Sequence, residues 1–274
     1  MAANAKHYII NFLILAIAVA AIFVNKVWLY IVFYVLALIC ALANMPMKNA
    51  KKPLVYTARV KRMLATDAVV LIAAYALSFF AGAEKAGLFG FATALALTPF
   101  VVLIGNFINS PIEKAIRQYY INDAKKMLKA CPDLKVIGIT GSYGKTSVKY
   151  FLSTALKAKY NVLMTPESYN TPMGVVKTIR EQLRPTHEIF VCEMGARNVG
   201  DIKEICDIVF PDYGIITSIG EQHLESFKSI DNIVKTKFEL YDAVPNKENM
   251  FLNGDNQYIS AKLSENPNAG FHTY

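Results

Sequence analysis

The stretch that most constrains the fold runs from Lys135 to Lys149, Lys-Val-Ile-Gly-Ile-Thr-Gly-Ser-Tyr-Gly-Lys-Thr-Ser-Val-Lys. A short apolar run, Val136 to Ile139, feeds a turn containing Gly141 and Gly144. Lys145, Thr146 and Ser147 then open a helix-compatible segment. The pattern is strand, phosphate loop, helix. Glycines let backbone N–H groups converge on phosphate oxygens, the helix dipole adds to the field, and Lys145 supplies a mobile charge. Gly141, Ser142, Gly144, Lys145, Thr146 and Ser147 are therefore the candidate nucleotide contacts, with the Thr146 hydroxyl placed for Mg2+. The strict Walker spacing asks for glycine where this chain has Ile139; the glycines fall at 138, 141 and 144.

Beyond Leu134 strands and helices alternate. Val162 to Thr165, Glu188 to Glu193, Gly214 to Ile219 and Met250 to Asn253 read as strands. Gly174 to Leu183, Asp201 to Val209 and Ser229 to Ala243 read as helices. Apolar strands alternating with helices imply an α/β domain with a parallel sheet, and ligands gather at the carboxyl ends of such strands. Residues 132–274 are read as this domain.

The first part of the chain is different. Tyr8 to Val24 and Val27 to Ala43 are apolar runs near the length that spans a bilayer, about 17 residues. A second pair covers Met63 to Phe80 and Ala86 to Gly105. A cleavable leader competes for the first run, but a second run follows at once without a clear cleavage site. Residues 1–105 are thus expected to form four transmembrane helices, with Asp67 interfacial. Lys48, Lys51, Lys52, Arg59, Lys61 and Arg62 load the middle loop and put it, both termini and the nucleotide loop in the cytoplasm. The expected location is multi-pass in the cell membrane, with lipid as a partner. Ser110-Pro111-Ile112-Glu113 is a capping box with proline at the first helical position, so an amphipathic linker helix is expected over 106–131, on a membrane surface or under the catalytic domain.

Of the 274 residues 54% are hydrophobic, and 29 basic against 21 acidic residues leave a net charge of +8. Much of that excess flanks the apolar runs, and no DNA- or RNA-binding motif accompanies it, so nucleic acid is not an expected partner. Cys40, Cys131, Cys192 and Cys206 lack paired spacing and read as reduced, structural residues rather than zinc ligands.

Three further residues emerge where such a sheet places chemistry. Glu193 ends an apolar strand, where a metal–nucleotide enzyme needs a carboxylate for Mg2+, although a solvated strand-end acid is the bland alternative. His223 follows the strand ending at Ile219, and a lone histidine is more often a packing or surface residue. Lys237 lies in the helix from Ser229, where the default is a solvated face.

Taken in order, Gly-Ile-Thr-Gly-Ser-Tyr-Gly-Lys-Thr-Ser at 138–147, Glu-Met-Gly-Ala-Arg-Asn-Val-Gly-Asp-Ile at 193–202, His-Leu-Glu-Ser-Phe at 223–227, Lys-Thr-Lys-Phe-Glu-Leu at 235–240 and Leu-Asn-Gly-Asp-Asn at 252–256 resemble the motifs of the Mur ligase central domain. The Glu-Met-Gly-Ala wording is most similar to the MurF branch. The resemblance implies an ATP-dependent amide ligase of peptidoglycan precursor synthesis. ATP would phosphorylate a peptide carboxylate, and an amine such as D-Ala-D-Ala would attack the acyl phosphate.

On that resemblance Lys145 stabilises the transferring phosphoryl group, Thr146 and Glu193 hold one Mg2+, and His223 binds a second. Lys237 is the lysine that is carbamylated, with Lys235 the alternative on the opposite helix face. Asn253 and Asp255 match the adenine and ribose region. Ser168, Asn170 and Thr171 resemble the substrate loop.

Two departures stand out. The sugar-nucleotide-binding amino-terminal domain is replaced by the apolar region, so the donor is expected to be a UDP- or lipid-linked muramyl peptide. The chain also stops before the family's amine-binding carboxy-terminal domain and reads as incomplete there. A nucleotide-binding regulatory or scaffold subunit without ligase activity is the alternative. A transporter ATPase is disfavoured by the lack of a Leu-Ser-Gly-Gly-Gln-type signature.

Overall fold

The computed structural model describes residues 32, 35, 55–80, 98–167, 169–222, 224–265 and 270–274. It divides into two units, Met1–Ala115 and Ile116–Tyr274.

In the first unit, helix α1 covers Ala58–Phe80, and the amino-terminal part of α2, which runs Thr98–Lys129, belongs with it. The Arg62 guanidinium donates to Glu113 from Nε at 3.1 Å and Nη2 at 2.6 Å. Asn109 Nδ2 donates to Thr66 Oγ1 at 2.9 Å. Two sequence expectations need correction here. The helix predicted to open at Ser110-Pro111 is already under way at Thr98, and Pro111 lies inside it. The Glu113 carboxylate that would complete the capping box is held by Arg62 instead.

The second correction concerns the membrane. Among the described residues no helix is long and apolar enough to cross a bilayer. This finding overturns the multi-pass membrane location, and α1, which contains the run Met63 to Phe80 read as the third span, is not a membrane span. α1 begins with Arg59, Lys61 and Arg62 and carries Asp67, and α2 is polar over its second half, ending in Lys125, Lys126 and Lys129. The runs Tyr8–Val24 and Val27–Ala43, and most of Ala86–Gly105, lie outside the described residues.

The second unit is built on β1 (Lys135–Thr140), β2 (Val162–Met164), β3 (Ile189–Glu193), β4 (Tyr213–Ile216), β5 (Met250–Leu252) and β6 (His272–Thr273). These form one sheet in the order β2-β3-β1-β4-β5-β6, and every pairing is parallel. Helices α3 (Lys145–Leu156), α4 (Pro172–Gln182), α5 (Asp201–Val209), α6 (Leu224–Phe227), α7 (Ile230–Ala243) and α8 (Gln257–Ser264) connect them.

Side chains alternate across the pleat, and this sorts the core into two layers. Ile139, Val162, Ile189 and Val191 face Val148, Leu152 and Leu156 of α3. Val136, Phe190, Cys192, Ile205, Ile233 and Leu240 lie in the larger core on the other face, joined by Ile121, Ala124 and Leu128 from the second half of α2. Arg180 anchors that helical segment by donating to Asp123 at 2.7 Å. Cys131, Cys192 and Cys206 are free thiols, and burial pushes Cys206 up to about 12.

Candidate active site

The phosphate loop is closed by contacts that need its glycines. Gly141 has φ +149°, and a Cβ there would lie 2.1 Å from Thr217 Oγ1 and 3.0 Å from the Ser218 backbone. Gly144 takes a left-handed conformation, φ 83°, at the N-cap of α3. β4 ends at Ile216, earlier than its apolar run suggested, because Thr217 to Gly220 turn over the loop. Thr217 Oγ1 donates to the Tyr143 carbonyl at 2.6 Å. Ser142 N–H donates to Ser218 O at 2.6 Å and its hydroxyl to Gly220 O at 3.0 Å. Ser142 is therefore a buried clip of the loop, engaged on both its N–H and its hydroxyl.

Lys145 folds back on the loop, its Nζ donating to Gly141 O at 2.7 Å and Ser142 O at 3.0 Å. Burial lowers its pKa, opposed by the nearby Glu193 charge. Thr146 and Ser147 are exposed at the start of α3.

The pleat explains why Glu193 meets this helix. It continues the face of Ile189 and Val191, the face covered by α3. Thr146 Oγ1 lies 3.1 Å from each Glu193 carboxylate oxygen, and Asn170 Nδ2 donates to Oε1 at 3.1 Å. Thr165 Oγ1 accepts the Glu193 N–H at 3.0 Å. One turn beyond Thr146, Lys149 brings Nζ to 2.9 Å from Glu193 Oε2, with the two side chains 0% and 2% exposed. Lys149 and Thr165 are absent from the sequence-derived site. Lys149 had a legible signal, because it shares the helix stripe of Leu152, Ser153 and Leu156 at spacings of three, four and seven residues.

A cleft of about 520 Å³ opens in front of these groups, lined among others by Lys145, Thr146, Asn170, Thr171, Glu193 and Lys237. Lys237 is only 4% exposed, whereas Lys235 points to solvent. Desolvation, reinforced by the Lys145 charge, lowers the Lys237 pKa to about 8, while Glu239 and Asp201 pull the other way. Arg117, from the α2 segment of this unit, also lines the cleft and pairs with Glu204.

Thr171 caps α4, accepting the Gly174 N–H at 3.3 Å. Asn253 donates to Thr217 O at 2.8 Å, so it supports the turn that clasps the phosphate loop, and Asp255 is exposed beside it. Asn256, which sequence reasoning missed, caps α8 and donates to Ile219 O at 2.9 Å. Ser168 and His223 lie outside the described residues.

The oxygens fit Mg2+. A hydroxyl and a carboxylate 3.1 Å apart at the rim of a cleft are hard ligands that leave room for phosphate oxygens.

Residues 139–274 match the Mur ligase middle domain. The UDP-N-acetylmuramoyl-tripeptide–D-alanyl-D-alanine ligase of Mycobacterium bovis is 37% identical over 128 residues, 47% of this chain and 25% of the relative. The enzyme of that name from Escherichia coli is 32% identical over 122 residues, 44% of this chain and 27% of the relative. Among solved structures, MurF from Thermotoga maritima in complex with ADP has a TM-score of 0.52 at 30% identity, covering 57% of this chain and 35% of that one. MurF from Acinetobacter baumannii has a TM-score of 0.52 at 28% identity, with coverages of 57% and 34%. The chain spans about a quarter of the length of the curated relatives it matches. The segment 139–274, which holds the glycine loop, the strand-end glutamate and the buried cleft lysine, is thus the part of this chain that matches the Mur ligase middle domain.

Proposed function

We propose that this chain supplies the nucleotide-binding and phosphoryl-transfer part of an ATP-dependent amide ligase of peptidoglycan precursor synthesis, acting as the MurF branch does. The observation that carries this reading is the convergence of Lys145, Thr146, Glu193 and Lys237 on one cleft at the carboxyl edge of a parallel sheet.

A carboxylate resists attack by an amine until its oxygen becomes a leaving group. Transfer of the γ-phosphoryl of ATP to the carboxylate of a muramyl tripeptide supplies one. Attack by the amine of D-Ala-D-Ala then gives the amide, ADP and phosphate. Lys145 offsets negative charge on the phosphoryl group in flight, an electrostatic role suited to a loose transition state. Thr146 and Glu193 would hold Mg2+, which when bound neutralises charge on the phosphates. Asn170 orients the Glu193 carboxylate, and the clasp of Thr217, Ser218 and Asn253 holds the loop open to phosphate.

Lys237, with its amine brought to about 8, is primed to react with carbon dioxide and become a carbamate, converting a cation into an anionic oxygen ligand. His223, outside the described residues, keeps its assignment to a second Mg2+. Ser168, Asn170 and Thr171 are assigned to the donor, and Asn253 and Asp255 to the nucleoside.

The test uses the uninterrupted reading frame that contains this chain, incubated with ATP, Mg2+, D-Ala-D-Ala and UDP-MurNAc-tripeptide, with products followed by mass spectrometry. The expected product is the pentapeptide, lost on Lys145→Ala or Glu193→Ala. Nucleotide binding without amide formation would replace the ligase by a non-ligating nucleotide-binding subunit.

A further inference from the structure

The Lys149 ammonium takes no part in the reaction outlined above, yet it is one of the most deeply buried charges in the protein. Its side chain is 0% exposed, and Nζ sits 2.9 Å from Glu193 Oε2. It also donates to the Glu167 carbonyl at 2.5 Å, at a residue held in the left-handed region with φ 41°. The same ammonium therefore ties the glutamate to the loop that carries Asn170.

Glu193 is consequently saturated by the chain itself. Oε1 receives Asn170 and Thr146, and Oε2 faces Thr146 and Lys149. A buried carboxylate with no counter-ion would be an avid site for any free dication. Here a resident cation already occupies one side of it.

We infer that Lys149 is a positioning residue that acts as a built-in counter-ion for Glu193, making divalent-metal binding at Glu193 conditional on nucleotide. The inference rests on the assignment of this cleft to a metal–nucleotide complex. Charge counting gives the reason. Lys145, Lys149 and Glu193 together carry one net positive charge, and a dication arriving alone raises it to three. The same dication arriving with a nucleotide polyphosphate meets enough negative charge to offset both lysines. Lys149 holds the carboxylate in its working orientation before the metal arrives and discourages metal without nucleotide.

The experiment measures Mn2+ binding by electron paramagnetic resonance of the free ion, with and without ADP. It compares the wild-type protein, Lys149→Met, and the double variant Lys149→Met with Glu193→Gln. Wild type is expected to bind Mn2+ weakly alone and far more tightly with ADP. Lys149→Met should raise nucleotide-free Mn2+ affinity by about a hundredfold, because a unit charge close to the metal has been removed from a partly desolvated site. The double variant should lose that gain. In chelator, Lys149→Met should melt below wild type and recover on adding Mn2+, and the double variant should show no such recovery.

Tight nucleotide-free Mn2+ binding by wild type overturns the inference without any variant. So does an Mn2+ affinity of Lys149→Met unchanged from wild type, or a Lys149→Met protein that stays unfolded in saturating Mn2+. ADP binding by wild type alongside any of these results leaves the functional assignment standing. Absence of ADP binding overturns both.

Discussion

Lys237 offers a prediction whose size comes directly from its burial. Its amine has a pKa of about 8 in the folded protein against an ordinary 10.5, chiefly through desolvation and secondarily through Lys145. That difference corresponds to about 3 kcal/mol, at about 1.4 kcal/mol for each tenfold change. The sign follows from proton counting. Below about 8 the amine is charged in both states, and the folded protein carries the full cost of burying the cation. Between about 8 and 10.5 the unfolded chain binds more protons, so stability rises with pH; above 10.5 the cost is gone.

Lys237→Met keeps most of the stem and removes the charge. It should therefore be more stable than wild type by about 3 kcal/mol near neutral pH, with the advantage vanishing toward pH 10.5. Urea unfolding followed by circular dichroism, in buffers freed of carbon dioxide, measures both proteins across this range. The difference between the two cancels the titrations they share. An advantage that does not change with pH, or a variant less stable than wild type at neutral pH, would refute the account of a buried cation.

Two further outcomes concern the frame of the site. Thr165→Val removes the acceptor of the buried Glu193 N–H and should cost about 1–3 kcal/mol in urea unfolding, with a weaker nucleotide affinity by calorimetry. Gly141→Ala drives a methyl into Thr217 Oγ1 in a backbone region that side chains avoid; it should cost about 3 kcal/mol and lower nucleotide affinity, read from the same two measurements.

The α/β domain was legible because its signals are local. The apolar strands, the helices between them and the loop from Gly141 to Gly144 each announce themselves within a few residues. The strand ending in Glu193 could be placed at the carboxyl edge of the sheet by direction alone, since all parallel strands end on one side. β6 and α8 were missed because two residues at an edge and eight in a helix carry little periodic pattern. The run Met63 to Phe80 misled for a related reason. It was counted as a span without its neighbours, whereas α1 and α2 are tied by Arg62 to Glu113 and Asn109 to Thr66, pairings between residues 51 and 43 positions apart.

By itself, then, the sequence determined the type of domain, the glycine turn between β1 and α3 and the residue kinds at the ends of its strands, because short-range pattern decides which elements form and which way a strand points. Only the tertiary structure decided what those residues face. The pleat turned Glu193 toward α3, the helix turned Lys149 inward beside Thr146, and the burial of α7 withdrew Lys237 from water while leaving Lys235 in it. Ser142 and Asn253, both candidates for nucleotide contact, also take part in the clasp between the loop and the turn after β4. Such outcomes depend on packing between segments tens of residues apart, and desolvation, which sets the chemistry of Lys237, exists only once that packing is made.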